Sequence, residues 1–162
     1  MASAVEAALR EIGVATEYLD GDALRALSPS GFSRADRDAH VRRVGFLASR
    51  LEHHGVTVIC ALISPYAEAR DYVRSICANF LEVYVSTPLE ECERRDAKGF
   101  YARARRGEVA SFTGISDPYE PPRRPDLTID TSRLTLEESV SRVLDLWETR
   151  TQIDLAEPPG RR

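Results

Sequence analysis

The sequence has very little lysine, methionine or tryptophan, with one residue of each among 162. Arginine supplies 21 of the 22 basic residues, and the formal net charge is −4, which gives no excess positive field for a nucleic-acid backbone. No apolar run approaches the roughly 18 residues that a membrane-spanning helix needs, and no signal-peptide pattern opens the chain. We therefore expect a cytoplasmic protein that binds neither nucleic acid nor membranes.

Cysteine is scarce as well. Cys60, Cys77 and Cys92 lie far apart in apolar surroundings, and neither they nor the three histidines show the spacing of metal ligands. An odd number of isolated cysteines is typical of free thiols in a reducing compartment. The sequence thus predicts buried free thiols and no metal site built from cysteine or histidine.

What the sequence does contain is a regular alternation of helix and strand patterns. Helical spacing of apolar residues occurs in 2–12, from Ser33, after Pro65, from Pro88 and from Thr135. Strand patterns occupy 14–20, 56–63, 80–86 and 126–130, while 96–125 is rich in Arg, Gly and Pro and is predicted to be a long loop or lid. This order predicts an α/β fold with a doubly wound parallel sheet, in one domain over 1–150, followed by a flexible tail at 151–162.

Candidate ligand-binding residues fall where the predicted strands end, which is the edge at which such sheets bind ligands. Asp20 and Asp22 could hold a metal, accept a proton from a substrate hydroxyl or orient basic groups, or one of them could cap the next helix. Ser64 could contact an anion or serve as a helix N-cap. The residues alone leave these alternatives open.

Basic and aromatic residues near these strand ends suit a small polyanionic ligand. Arg25 and Arg37 offer bidentate donors for phosphate or sulfate. The segment Arg94–Arg124 has eight basic residues against four acidic ones. Within it, Phe112 could either stack on a base or pin the loop to the core.

Taken in order, five stretches closely resemble those of the adenylylsulfate kinases. They are LDGDALR (19–25), GFSRADRDAHVRRVG (31–45), ISPYAEARDYVR (63–74), VYVSTPLEECERRDAKGFYARARRGE (83–108) and FTGISDPYEPP (112–122). The resemblance extends over residues 1–150. It implies a three-layer P-loop kinase fold around a parallel sheet, and transfer of the γ-phosphoryl group of ATP to the 3′-hydroxyl of adenosine 5′-phosphosulfate. ATP would enter as a co-substrate with Mg²⁺, without a tightly bound cofactor.

The resemblance also implies roles for individual residues. Asp22 resembles the carboxylate that receives the 3′-hydroxyl proton, with Asp20 beside it. Ser64 resembles a serine described in some members as a phosphoserine intermediate, although we favour direct transfer to the hydroxyl. Implied substrate contacts are Arg25, Phe32, Arg37, His40 (where the family usually has Asn), Ile63, Ser64, Lys98 and Phe112, the last by stacking on adenine. Lys98 and Arg103 resemble lid residues, and a homodimer or an association with ATP sulfurylase is implied as a further partnership.

One motif that the resemblance requires is missing from the sequence. P-loop enzymes hold the β- and γ-phosphates in G-x-x-x-x-G-K-[ST], whereas the only lysine here, Lys98, lies near mid-sequence. The resemblance places this motif and a first, central strand ahead of a helix like residues 2–12, so we expect neighbouring strands to expose backbone groups. Two explanations stay open: a fragment of a normal kinase, which we favour because the other motifs are intact, and a P-loop-less adenylylsulfate-binding or regulatory protein.

Overall fold

The computed structural model describes residues 1–27, 31–96 and 98–156. The helices are α1 (Ala2–Glu11), α2 (Gly21–Leu27), α3 (Arg34–His53), α4 (Ala67–Ile76), α5 (Leu89–Arg95), α6 (Phe100–Arg105) and α7 (Leu136–Ala156). The strands are β1 (Thr16–Asp20), β2 (Thr57–Ala61), β3 (Val83–Val85) and β4 (Leu127–Ile129). Strands and helices alternate along most of the chain, as the sequence predicts.

The strands form two separate parallel pairs. β1 pairs with β2 from Thr16 opposite Thr57 to Asp20 opposite Ala61, and β3 pairs with β4 from Val83 opposite Leu127 onward. In the part of the chain that the structure describes, no ladder of hydrogen bonds joins the two pairs. Each pair therefore keeps strand edges without a ladder partner among the described residues, and the expectation of exposed backbone groups stays a prediction.

Helix α3 connects β1 to β2 and covers that pair. Its N-terminus is a capping box. Asp36 N–H donates to the Ser33 hydroxyl and Ser33 N–H donates to the Asp36 carboxylate, both at a distance of 3.2 Å. Its buried face contributes Val44 and Ala48 to a core with Leu19 of β1. Packing of α3 against β2 fixes the strand ends that carry the candidate site.

A close approach between α3 and α4 occurs at Gly45. A Cβ added there would lie 2.9 Å from Cγ1 of Val73 and closer still to Cγ2. Because valine is stiff at χ1 in a helix, Val73 cannot easily turn away. We expect Gly45→Val to lower the free energy of unfolding by about 1–3 kcal/mol through overpacking, measured by urea denaturation. Arg43→Ala, on the exposed face of the same helix, is the control, and an unchanged midpoint for Gly45→Val would contradict the close packing.

Several boundaries differ from the sequence predictions. The predicted 80–86 strand is restricted to β3, and Pro88 is the N-cap of α5 rather than its first residue. The predicted loop 96–125 contains helix α6, because the Asp96 carboxylate accepts the N–H groups of Tyr101 and Ala102 at 3.1 and 3.0 Å and so caps it.

The C-terminal boundary and the cysteines also differ. Helix α7 continues to Ala156, so the first six residues of the predicted tail are helical, while 157–162 lie outside the described residues. The prediction of buried thiols is wrong for Cys60, which is exposed on β2, a strand with a ladder partner on one side only; Cys77 and Cys92 are partly buried. Over 1–27, 31–96 and 98–156, no helix has both the length and the apolar character needed to cross a membrane.

Candidate active site

The two aspartates at the end of β1 have different surroundings. One carboxylate oxygen of Asp20 accepts the N–H groups of Asp22 and Ala23 at 2.8 and 3.0 Å, and the other accepts the Tyr18 hydroxyl at 2.9 Å. The hydrogen bond from Ala23, and next the one from Tyr18, hold the pKa of Asp20 below its usual value. Asp20 therefore caps the start of α2, which is the capping alternative left open by the sequence.

Asp22, by contrast, presents its carboxylate outward. Its side chain is 76% exposed, and its Oδ2 lies 2.5 Å from Lys98 Nζ. That hydrogen bond raises the pKa of Lys98. The connection between α5 and α6 thus reaches back to the end of β1, and the predicted lid residue and the predicted proton acceptor are in direct contact.

Two guanidinium groups lie near the ring of Phe32. The guanidinium carbons of Arg25 and Arg37 are 5.1 and 5.4 Å from the centre of its ring. Arg25 also donates to Gly31 O at 2.9 Å, and the buried Arg37 donates to Phe32 O at 3.0 Å and to Ser111 O at 2.8 Å. The Phe32 ring stays 49% exposed, so this cluster offers cationic donors beside an accessible aromatic surface.

His40 joins this cluster from the inner face of α3. It is buried, and its Nε2 lies 3.1 Å from Gly21 O, so the neutral ring donates to that carbonyl when Nε2 carries the proton. A Cβ on Gly21 would lie 3.0 Å from Ala61 O, so the start of α2 packs closely on the end of β2. His40 thus fixes the turn that carries Asp22.

Burial, and then the charge of Arg25, lower the pKa of His40 below its usual value. Since the unfolded chain takes up the proton first, stability should be full above the unfolded pKa of about 6.5 and decrease as the pH falls toward the folded pKa. We expect the melting temperature of the wild type to drop between pH 8 and pH 5 by more than that of His40→Asn, whose amide can still donate to Gly21 O. Identical pH profiles in differential scanning calorimetry would contradict this.

The end of β2 supplies Ile63 and Ser64. Ile63 is 60% exposed, and Ser64 adopts a left-handed backbone conformation with φ of 43°. The N-cap alternative for Ser64 is wrong, because Tyr66 occupies that position of α4. Instead, the Glu120 carboxylate accepts the Ala67 N–H at 2.8 Å.

The remaining predicted residues lie in the lid and the loop after it. Phe112 packs edge-on against Tyr101 of α6, with ring centres 5.1 Å apart, and is partly buried. Arg103 contacts Glu108 at 3.5 Å and stacks at 5.7 Å over Phe100, both within the lid. The contact with Tyr101 fits the pinning role for Phe112, and stacking on a base stays a prediction.

A cavity of about 280 Å³ was not foreseen from the sequence. It lies between the N-terminus of α1 and the connection from β4 to α7, and its lining includes Met1, Arg95, Thr131, Leu134, Thr135, Leu136 and Ser139. Arg95 donates to the side-chain oxygen and the carbonyl of Thr131 at 2.8 and 2.9 Å. Met1, Arg95 and the segment 131–139 are distant from one another in sequence and form no motif, so only the fold brings them together.

Comparison with known proteins links this chain to one family. The family model described as adenylylsulphate kinase matches residues 1–130. The adenylyl-sulfate kinase of Halothermothrix orenii is 47% identical over 159 residues, which are 97% of this chain and 86% of that protein.

Solved structures support the same relationship. The Mycobacterium tuberculosis APS kinase in complex with AMPPNP and APS is similar with a TM-score of 0.86 and 43% identity, covering 91% of this chain and 88% of that one. A hexameric APS kinase from Thiobacillus denitrificans is similar with a TM-score of 0.67 and 34% identity, covering 91% of this chain and 25% of that one. The predicted parallel-sheet kinase fold is confirmed by these likenesses.

Proposed function

The chain belongs to the adenylylsulfate kinase family, and from this premise we propose how its residues share the transfer of the ATP γ-phosphoryl group to the 3′-hydroxyl of adenosine 5′-phosphosulfate. The observation that carries the proposal is the outward Asp22 carboxylate, in contact with Lys98 and on the same short helix as Arg25. Of the two aspartates near the end of β1, Asp20 uses its carboxylate to cap α2, whereas the carboxylate of Asp22 does not cap that helix.

In the proposed reaction, the Asp22 carboxylate accepts the proton of the 3′-hydroxyl. The 3′-oxygen forms a bond to the γ-phosphorus while the bond from that phosphorus to the β,γ-bridging oxygen breaks, and ADP leaves with that electron pair. Lys98, which pairs with Asp22, would turn toward the transferring phosphoryl group. Ser64 keeps a substrate-contacting role at the strand end, without a phosphoserine step.

Arginine and aromatic residues would hold the acceptor. Arg25 and Arg37 lie near the ring of Phe32, and their planar donors suit the 5′-phosphosulfate. Phe112 would stack on the adenine while remaining attached to the lid through Tyr101. His40 and Ile63 would shape the floor between these groups. This assignment gives each of these six residues a place on the acceptor side.

The donor nucleotide would bind at the opposite end of the site. We propose the cavity beside Arg95 for its base, because a planar guanidinium can stack on a purine. Mg²⁺, when bound with ATP, neutralises charge on the β- and γ-phosphates. Within the described residues no cluster of three His, Cys, Asp or Glu side chains is arranged to hold a metal.

A second candidate function is adenylylsulfate binding without phosphoryl transfer. The observation that favours it is the sequence itself, because its single lysine, Lys98, is not part of a G-x-x-x-x-G-K-[ST] motif. The acceptor-side residues would then bind adenosine 5′-phosphosulfate as a sensor or carrier.

One pair of measurements separates the two candidates. The purified chain is incubated with ATP, Mg²⁺ and adenosine 5′-phosphosulfate, and 3′-phosphoadenylyl sulfate is quantified by chromatography; binding of the acceptor is measured by titration calorimetry. Product formation supports the kinase, and binding without product supports the second candidate. Absence of both, at millimolar acceptor, would contradict the proposed acceptor site.

The assembly and location of the protein are further proposals. The likeness to a hexameric kinase supports self-association, which light scattering of the purified chain would test. Association with ATP sulfurylase would be tested by co-purification of the two proteins. Three free cysteines suit the reducing cytoplasm, where ATP is also supplied.

A further inference from the structure

Arg70 is a buried arginine that has no place in the reaction proposed above. It lies on α4, is 9% exposed, and its guanidinium reaches three separate segments. Nη1 donates to Ser64 O at 2.6 Å and Nη2 donates to Glu120 O at 2.7 Å. Nε lies 2.9 Å from Glu82 Oε1, an ion pair whose angle is not that of a hydrogen bond. One side chain therefore ties the end of β2 to the loop after the lid.

The turn from Ser64 to Ala67 is bonded at every residue. Besides the bond from Arg70 to Ser64 O, Pro65 O accepts the N–H of Glu120 at 2.8 Å, and the Ala67 N–H donates to the Glu120 carboxylate. The hydroxyl of Tyr66, a residue that is 1% exposed, donates to Asp117. The turn and the segment 117–120 are thus held as one unit.

This unit fixes two walls of the acceptor site. Ser64 has a left-handed backbone, which costs a non-glycine residue free energy and persists only where the surroundings hold it. The segment 117–120 continues the loop that begins at Phe112. Ser111, the residue just before this loop, accepts a hydrogen bond from Arg37. Because Arg70 bonds to both Ser64 and Glu120, it sets the spacing between the strand end and the loop that carries Phe112.

We propose that Arg70 is a positioning residue for acceptor binding, acting through the carbonyl oxygens of Ser64 and Glu120. The inference rests on the proposed acceptor site. Charge alone is not sufficient for this role, because two carbonyl groups in different segments require the planar fork of arginine, which lysine lacks. Arg74 provides a matched comparison one turn along α4: it pairs with Glu82 at 2.9 Å and with Asp126 at 3.6 Å, and stacks on Phe80.

The test compares Arg70→Gln, Arg70→Lys and Arg74→Gln with the wild type. Titration calorimetry with adenosine 5′-phosphosulfate should show binding about tenfold or more weaker for both Arg70 variants than for Arg74→Gln. Melting temperatures of Arg70→Lys and Arg74→Gln should be similar, since both retain a cation beside Glu82. Hydrogen exchange, measured by mass spectrometry without ligand, should accelerate in peptides covering 63–68 and 117–122 in the Arg70 variants alone.

The outcomes separate this inference from the proposed function. If the wild type binds the acceptor and Arg70→Lys binds within about twofold of it, the positioning role is overturned and the acceptor site stands. If the wild type does not bind, the acceptor site fails, and the exchange data alone decide whether Arg70 orders the two segments. Unchanged exchange in both peptides would overturn the positioning role in either case.

Discussion

Replacing Asp22 with asparagine should reduce the turnover number for 3′-phosphorylation by about 10²- to 10⁴-fold, the usual contribution of a general base. Asparagine keeps the shape of the side chain but cannot accept the proton. The side chain is exposed and contacts Lys98, so its replacement removes no buried packing. The Michaelis constant for adenosine 5′-phosphosulfate should therefore change little, and initial rates at several acceptor concentrations would separate the two parameters.

The control for this substitution is Asp71→Asn, at an exposed position on α4. It removes the same charge outside the site and should leave the rate within about twofold. A turnover number for Asp22→Asn close to that of the wild type would contradict the role of Asp22. A large change in the Michaelis constant alone would instead indicate a binding role.

Replacing Phe112 with leucine should weaken acceptor binding by about 5- to 150-fold, because stacking of a base on an aromatic ring contributes about 1–3 kcal/mol. Leucine keeps an apolar side chain for the contact with Tyr101 but presents no flat π surface. Titration calorimetry of both proteins with adenosine 5′-phosphosulfate gives the ratio of dissociation constants directly.

Phe46→Leu is the matched control, because Phe46 is an exposed aromatic residue on α3. Its dissociation constant should equal that of the wild type. If Phe112→Leu also binds like the wild type, then Phe112 only pins the loop, which is the alternative that the sequence left open. A lower melting temperature combined with unchanged affinity would support the pinning role.

Features that depend on residues close in sequence were predictable. Helix α3 begins after Ser33, where the sequence predicts it, because the capping box joins residues only three positions apart, Ser33 and Asp36. Asp20 and Asp22 could not be told apart, because both are carboxylates beside one glycine and the difference lies in the hydroxyl of Tyr18 and the N–H groups of α2. The residue pattern alone therefore predicted an acidic strand end without distinguishing the two carboxylates, and the proton-accepting role that the family resemblance implies for Asp22 stays a prediction.

Features that depend on distant partners were not predictable. The apolar spacing after Pro65 predicts the helix that carries Arg70. It does not predict that Arg70 is buried, because a charged residue next to Ala69 is normally expected to face solvent. Its partner Glu120 lies 50 positions away. The sequence prediction omits helix α6 for a related reason. The side chain that accepts its first N–H groups belongs to Asp96, which lies before the helix and is separated from it by Gly99.

The division of the strands into two pairs has a consequence for local unfolding. Since no ladder joins β1–β2 to β3–β4 within residues 1–27, 31–96 and 98–156, breaking the hydrogen bonds of one pair does not require breaking those of the other. The two halves meet through α1, which contacts β1, β2 and α7, while α7 contacts β4, and through the bonds of Arg70 to Ser64 and Glu120. We therefore expect side-chain contacts of this kind, rather than a continuous sheet, to couple the two pairs when the chain unfolds locally.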